Sequence, residues 1–141
     1  MLCSLVGVDD DRKRLLPDNV VGISRTENIA ELAALYSVAD VFVNPTWQDN
    51  YPTVNLESIA CGTPVVTYRT GGSIEAITPQ TGVIVEQGDV KGILNAVRDI
   101  EKKGKEYFCE GCRQYAISNF NKEERYADYL RLYDEMLSLK L

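Results

Sequence analysis

The sequence predicts an α/β fold, a doubly wound parallel sheet flanked by helices, and three observations carry that expectation. Short apolar runs alternate with longer stretches of helical periodicity along the chain, the pattern of strand–crossover–strand units. Pro64 to Tyr68 is a continuous apolar run, as in a strand covered on both faces; a half-exposed strand would alternate. Asp40 to Asn44 reads as a strand entering a polar loop, and Pro52 then opens a helix. Open α/β sheets build ligand sites around such strand–loop–helix turns. The crossovers should be right-handed. At 141 residues the chain is read as one domain, 1–141. It is long enough to bury a useful core, and 45% hydrophobic residues supply one.

Taken in order, Leu2 to Val8 reads as a buried strand and Asp9 to Arg14 as a charged turn. Val20 to Ile23 is a second strand, too short for a helix. Thr26 or Asn28 caps a helix from Ile29 to Val38, whose Ile29, Leu32, Ala33 and Tyr36 share a face. The strand Asp40 to Asn44, the loop and the helix from Pro52 to near Gly62 follow, then the strand Pro64 to Tyr68. Thr70-Gly71-Gly72-Ser73 turns into a short helix near Ile74 to Ile77, and Val83 to Val85 is the last strand. Asp89 caps a helix through about Lys102, with Ile93, Leu94, Val97 and Ile100 on its apolar face. Further helices span Glu106 to Ser118 and Lys122 to Leu139, the last within a C-terminal segment at 121–141. Its stripe of Tyr126, Tyr129, Leu130, Tyr133, Met136 and Leu137 reads most simply as core packing.

A net charge of −6 argues against a general nucleic-acid binder, which needs a basic face to neutralise phosphates. No window reaches the ~18 apolar residues of a transmembrane helix. Met1 to Val8 is too short for a signal peptide and leads straight into Asp9-Asp10-Asp11. The four cysteines are Cys3, Cys61, Cys109 and Cys112. The last two form a CxxC, but there is no histidine and no second CxxC to complete a zinc site. A redox CxxC sits after a strand at a helix start, whereas this one lies in a helical segment. The pair is read as structural, and the thiols as free in a reducing cytoplasm.

Val43 to Gly62 holds the densest chemistry. Proline suits the first helical turn, where its missing N–H costs nothing. Asp49 or Asn50 is placed to cap the free amides, and Gly62 and Pro64 are stop signals. The helix start then presents unpaired amides and a positive dipole end at the tip of a strand, a place for phosphate. Asp49 precedes that end; Glu57 lies roughly 7–8 Å along the axis from Pro52, at about 1.5 Å per residue. Carboxylates repel phosphate but accept hydrogen bonds from neutral hydroxyls. An anion site between two acids suits a ligand with a charged middle and a hydroxyl pair at each end, as in a nucleotide diphospho-sugar. The competing reading makes Asp49 a mere cap and Glu57 a solvated helix residue.

The stretch also resembles the acidic motif of retaining glycosyltransferases of the GT-B fold, family 4 type (glycosyl transferases group 1). Asp49 is followed by seven residues, Glu57, and Ala60-Cys61-Gly62-Thr63-Pro64-Val65-Val66. The family usually has Glu in the first position; the Asp49-Asn50-Tyr51-Pro52 variant occurs in relatives. On the N-terminal side of the motif, Ala33-Leu35-Tyr36 and Ala39-Asp40-Val41 match the family's usual lead-in. On its C-terminal side, Thr70-Gly71-Gly72 with Glu75, Thr81-Gly82-Val83 and Gly88-Asp89 match the family as well.

The resemblance implies the Rossmann-like C-terminal half of a GT-B fold that binds a UDP- or GDP-sugar. It makes Asp49 and Glu57 the catalytic pair, Asp49 on the sugar hydroxyls and Glu57 on the ribose hydroxyls. Asn50, Tyr51, Thr53 and Val54 would meet phosphate and sugar through backbone amides, and Ile23 and Ser24 would lie near the base. Gly71 and Gly72 would shape a loop facing the cleft, although freedom for unusual backbone angles explains them equally well. The family needs no metal or other cofactor, the nucleotide-sugar being a substrate. It also implies an N-terminal acceptor-binding half and an upstream basic residue for the diphosphate. By that comparison the chain reads as truncated at its N-terminus and inactive alone, its final helix a former interdomain contact. The expected role is retaining transfer of a hexosyl unit to an acceptor hydroxyl in cell-surface polysaccharide or glycoconjugate synthesis. The expected place is the cytoplasm or the inner face of the membrane, with peripheral rather than spanning association. A non-catalytic nucleotide-binding or interaction module is the alternative. A receiver-like phosphoacceptor domain fits less well, since Asn44 rather than Asp ends the third strand. An epimerase of the same fold lacks its histidines here.

Overall fold

The computed structural model describes residues 1–139. Lys140 and Leu141, the end of the expected 121–141 segment, lie outside the described residues. The chain divides into two compact parts, Met1–Leu35 and Tyr36 onward. Among the described residues the strands form two parallel sheets, one of two strands and one of three.

In the first part β1 (Cys3–Val6) pairs in parallel with β2 (Val20–Ile23), Cys3 opposite Val20 and Val6 opposite Ile23. The expected charged turn is instead a one-turn helix, α1 (Asp10–Lys13). Asp9 caps it, accepting from the Arg12 amide at 2.8 Å. Asp10 pairs with Lys13 at 3.1 Å, and opposite charges three residues apart favour helix over turn. β1 is exposed along its length rather than buried. A two-stranded sheet covers little of itself, and burial begins only past the strand, at Val8. α2 (Ile29–Val38) starts at Asn28, whose Oδ1 accepts from the Glu31 amide at 2.9 Å, one of the two expected caps. On its apolar face Tyr36 is buried, whereas Ile29 at the first turn is 87% exposed.

In the second part β3 (Phe42–Asn44), β4 (Val65–Tyr68) and β5 (Gly82–Val85) run parallel, with Val65 opposite both Phe42 and Gly82. β4 is central and buried at every residue, as its apolar run predicted. A side chain at Gly82 would stand 1.9 Å from the Val65 carbonyl oxygen, so only glycine allows this approach. α3 (Thr53–Ala60) and α4 (Val90–Lys103) pack on this sheet, and α5 (Glu106–Phe120) packs against α3. Ile59, Ile100 and Phe108 enter the core from them, against Val65 and Val66. The helix expected at Ile74 to Ile77 is a 3-10 turn placed earlier, at Gly71–Ile74. Its start is drawn forward because the Gly72 amide donates to the Asp49 carbonyl.

α6 (Lys122–Ser138) begins at Asn121, whose Oδ1 accepts from the Glu123 amide at 3.0 Å. None of its residues is buried. The core role expected for Tyr126, Tyr129, Leu130, Tyr133, Met136 and Leu137 therefore fails; all six are exposed. Helical spacing puts them on one face, but no element among the described residues covers it. Among the described residues no helix is long and apolar enough to cross a membrane.

The cysteines are free thiols. Cys109 and Cys112, one turn apart on α5, serve packing. Cys109 Sγ lies against Gly62 at the end of α3, 2.7 Å from where a side chain there would begin. Cys112 is fully buried and donates to the Gln80 carbonyl at 3.6 Å. Burial, and secondly Cys109, push its thiol from 9.0 up to about 12. The folded state thus favours the protonated thiol. That contribution is complete below pH 9 and is lost as pH rises towards about 12. A thiol reagent at pH 8 should therefore label exposed Cys3 promptly and Cys112 only on unfolding. Urea titrations should show the stability gap between wild type and Cys112→Ala closing above pH 9.

Candidate functional site

The site is built where β3 ends. Pro45 to Asn50 leave the sheet as a loop, and Pro52 stands at the helix boundary with φ −70° and ψ 108°. The expected side-chain cap from Asp49 or Asn50 does not form. Asp49 instead closes a local turn, its Oδ1 accepting from the Tyr51 amide at 3.0 Å. This bond is shorter-range than a helix cap, and asparagine and aspartate readily form it with an amide two residues on. It also removes Tyr51 from the expected set of free amides. The amides of Asn50, Thr53 and Val54 donate to no protein group among the described residues, as the first turn of an uncapped helix leaves them. The exposed residues of α3 are Thr53, Val54, Glu57 and Ala60. Their spacing of three and four puts Glu57 on the same face as the open amide end.

Glu57 is also held. The Tyr36 hydroxyl donates to its Oε2 at 3.2 Å. Burial, then the charge of Glu57, push Tyr36 well above its usual ionisation range, so the phenol stays protonated and donates. Each acid is thus oriented through one oxygen. Asp49 Oδ2 and Glu57 Oε1 accept nothing among the described residues.

Beneath the loop lies a buried polar network that the sequence reading missed. Asn55, 1% exposed, receives a hydrogen bond from Asn44 Nδ2 at 2.9 Å and donates its own amide to the Ser73 carbonyl at 3.1 Å. Thr67 Oγ1 bonds the Asn44 carbonyl at 2.8 Å and the Ser73 hydroxyl at 2.6 Å. The available signal was a run of polar residues at core positions: Asn44 ending a strand, Asn55 on the inner face of an amphipathic helix, and Thr67 within an apolar strand. Tyr36 was read as part of an apolar face and of the family's lead-in, not as a partner of Glu57.

Gly71 and Gly72 meet the acidic loop directly. Gly71 has φ +42°, and a side chain there would fall 2.2 Å from the Asp49 carbonyl oxygen. At Gly72 the clash would be with the Asn50 carbonyl oxygen, at 1.8 Å. The Gly72 amide donates to the Asp49 carbonyl at 3.2 Å. Thr70 Oγ1 ties the other side of the loop through the Thr46 carbonyl at 3.1 Å. The glycine pair is therefore the rest on which the loop sits. Tyr51 is partly exposed, and its phenol is raised by burial and then by Glu75. Ile23 and Ser24 belong to the first part of the chain, where Ser24 Oγ donates to Asp10 at 3.2 Å.

The family model for Glycosyl transferases group 1 matches residues 3–103. The chain belongs to this family. Within it, D-inositol 3-phosphate glycosyltransferase of Arthrobacter sp. (strain FB24) is 38% identical over 108 residues, 70% of this chain and 26% of that protein. N-acetyl-alpha-D-glucosaminyl L-malate synthase of Bacillus anthracis is 27% identical over 125 residues, 86% of this chain and 32% of that one. Among solved structures, sucrose-phosphate synthase from Thermosynechococcus elongatus superposes with a TM-score of 0.82 at 26% identity, covering 96% of this chain and 38% of that one. Anabaena HepE in complex with UDP-glucose shares the fold with a TM-score of 0.72 at 18% identity, over 92% of this chain and 40% of that one. The chain thus spans 26% to 32% of the length of these two curated relatives. Its parallel sheets flanked by helices are those of GT-B glycosyltransferases, as the sequence predicted.

The network makes Asn55 a stability residue. Asn55→Leu keeps the branched shape, adds volume, and strands the Asn44 amide and the Ser73 carbonyl, costing about 2–4 kcal/mol. Gly72→Ala costs about 1–3 kcal/mol, because the loop must shift to admit the methyl group. Urea denaturation measures both; a loss below about 0.5 kcal/mol at Asn55, the scale of an ordinary surface substitution, would contradict the network's role.

Proposed function

We propose that this region binds a nucleotide diphospho-sugar, UDP- or GDP-linked, for retaining transfer of a hexosyl unit to an acceptor hydroxyl. The observation that carries the reading is the matched state of the two acids: Asp49 and Glu57 are each oriented through one oxygen and open at the other. Between them stand the free amides of Thr53 and Val54, with that of Asn50 beside them. The diphosphate takes these amides and the positive end of α3. Asp49 accepts from the sugar hydroxyls and Glu57 from the ribose hydroxyls, as the family resemblance assigns. Amides fixed before the reaction stabilise the charge that develops on the departing diphosphate. The sugar passes through an oxocarbenium-like state, and the acceptor proton leaves to the diphosphate side. No metal or cofactor is assigned.

The 141 residues are assigned donor binding; transfer also requires an acceptor-binding half, in the same polypeptide or a separate one. Alone they should bind donor without turnover. We place the work in the cytoplasm or at the inner face of the membrane, in polysaccharide or glycoconjugate synthesis. The HepE complexes with UDP and UDP-glucose favour a uridine donor as the first to test.

Calorimetry on two variants tests the assignment. A hydrogen bond to a charged group is worth about 1.5–3 kcal/mol, so Glu57→Gln should weaken UDP or GDP roughly 10- to 100-fold. Asp49→Asn should weaken the nucleotide-sugar while leaving plain nucleotide nearly unchanged. Unaltered nucleotide affinity in Glu57→Gln would remove the ribose assignment. Equal losses for nucleotide and nucleotide-sugar in Asp49→Asn would reduce the site to a nucleotide-binding module.

A further inference from the structure

We infer that Tyr36 is a positioning residue for Glu57, holding its carboxylate in the one orientation that serves a ribose diol. The inference rests on the ribose role proposed above and adds how that role is achieved. A glutamate on an exposed helix face samples several rotamers, and ordering it on binding costs up to about 2 kcal/mol. Here the Tyr36 hydroxyl occupies Oε2 at 3.2 Å, leaving Oε1 and the second lone pair of Oε2 for the ligand.

Tyr36 itself is held at two points and is buried. Its ring meets Phe42 edge-on, with centroids 5.3 Å apart and planes at 85°. Its carbonyl accepts from Thr63 Oγ1 at 2.6 Å, and Thr63 is fully buried just beyond the end of α3. The residue is only 9% exposed, so the hydroxyl emerges from a fixed base. Phe42 begins the strand that feeds the acidic loop, and Thr63 follows the helix that carries Glu57. The tyrosine is therefore fastened to both elements of the site, and it transmits their rigidity to a side chain that α3 alone would leave free. A ligand that meets a preset carboxylate avoids the ordering cost.

Tyr36→Phe removes the hydroxyl and keeps the ring on Phe42. The probes are UDP and GDP with their 2′-deoxy counterparts, titrated into the full chain. Tyr36→Phe should bind the ribonucleotide roughly three- to tenfold more weakly, with a smaller ribo-to-deoxy preference than wild type. Because the effect runs through Glu57, Tyr36→Phe combined with Glu57→Gln should lose no more than Glu57→Gln alone. Ile100→Val, a core change on α4, is the stability control: it lowers the melting temperature and leaves the ribo-to-deoxy preference intact. Wild-type affinity in Tyr36→Phe, losses that add to those of Glu57→Gln, or an equal loss in Ile100→Val would each overturn the inference while leaving the ribose role standing. If Glu57→Gln binds as wild type, the ribose role itself fails and takes this inference with it.

Discussion

Asn55 is buried in the first turn of α3 with both ends of its amide engaged by protein. A buried amide in this position admits few alternatives. Every group it satisfies would otherwise lose a water partner without gaining another. The partners come from the end of β3 and from the turn after β4, with Thr67 closing the circuit from β4 itself. The network therefore fixes where α3 starts relative to two strand ends. The loop from Pro45 to Asn50 has only to span a gap whose sides are set. Gly71 and Gly72 can then approach its backbone closely, since neither the loop nor the turn is free to retreat. Loss of the network would release the helix start and the loop together, which is why a polar residue is tolerated at the core.

Much of this architecture was legible in the sequence. Short apolar runs placed the five strands found among the described residues, period-3.6 patterns placed the long helices, and the continuous run at β4 announced a strand covered on both faces. The misreadings share a cause. Periodicity states which face of an element is apolar but not what covers it. β1 and the tyrosine stripe of α6 have the pattern of buried elements, yet both are exposed. Capping rules failed at α3 for a different reason. Asp49 bonds the Tyr51 amide, two residues on, and no amide of the helix. The same rules succeeded at Asn28 and Asp89, where no competing turn intervenes. The acid pair was visible as spacing, but the groups that aim it were not. Tyr36 lies 21 residues from Glu57 in the chain, and Asn44 lies 11 from Asn55. Nothing local in the sequence connects them.

The departure from the family's usual first acid has a physical reading in this geometry. Glutamate at position 49 would carry one more rotatable bond, and its carboxylate would stand too far from the backbone to close a two-residue turn. Aspartate is short enough to bond the Tyr51 amide, and that bond fixes one of its oxygens. Glu57 lacks this recourse, because on a helix the amides near it are already committed to the helix itself. Its orientation must come from elsewhere, and the Tyr36 hydroxyl supplies it. The two acids thus reach the same condition by different routes, one through its own backbone and one through a distant side chain. A carboxylate held at one oxygen keeps its charge and its acceptor capacity while losing its freedom, and a neutral diol needs that combination from a partner. Two such groups beside a row of open amides are the arrangement on which the proposed donor site rests.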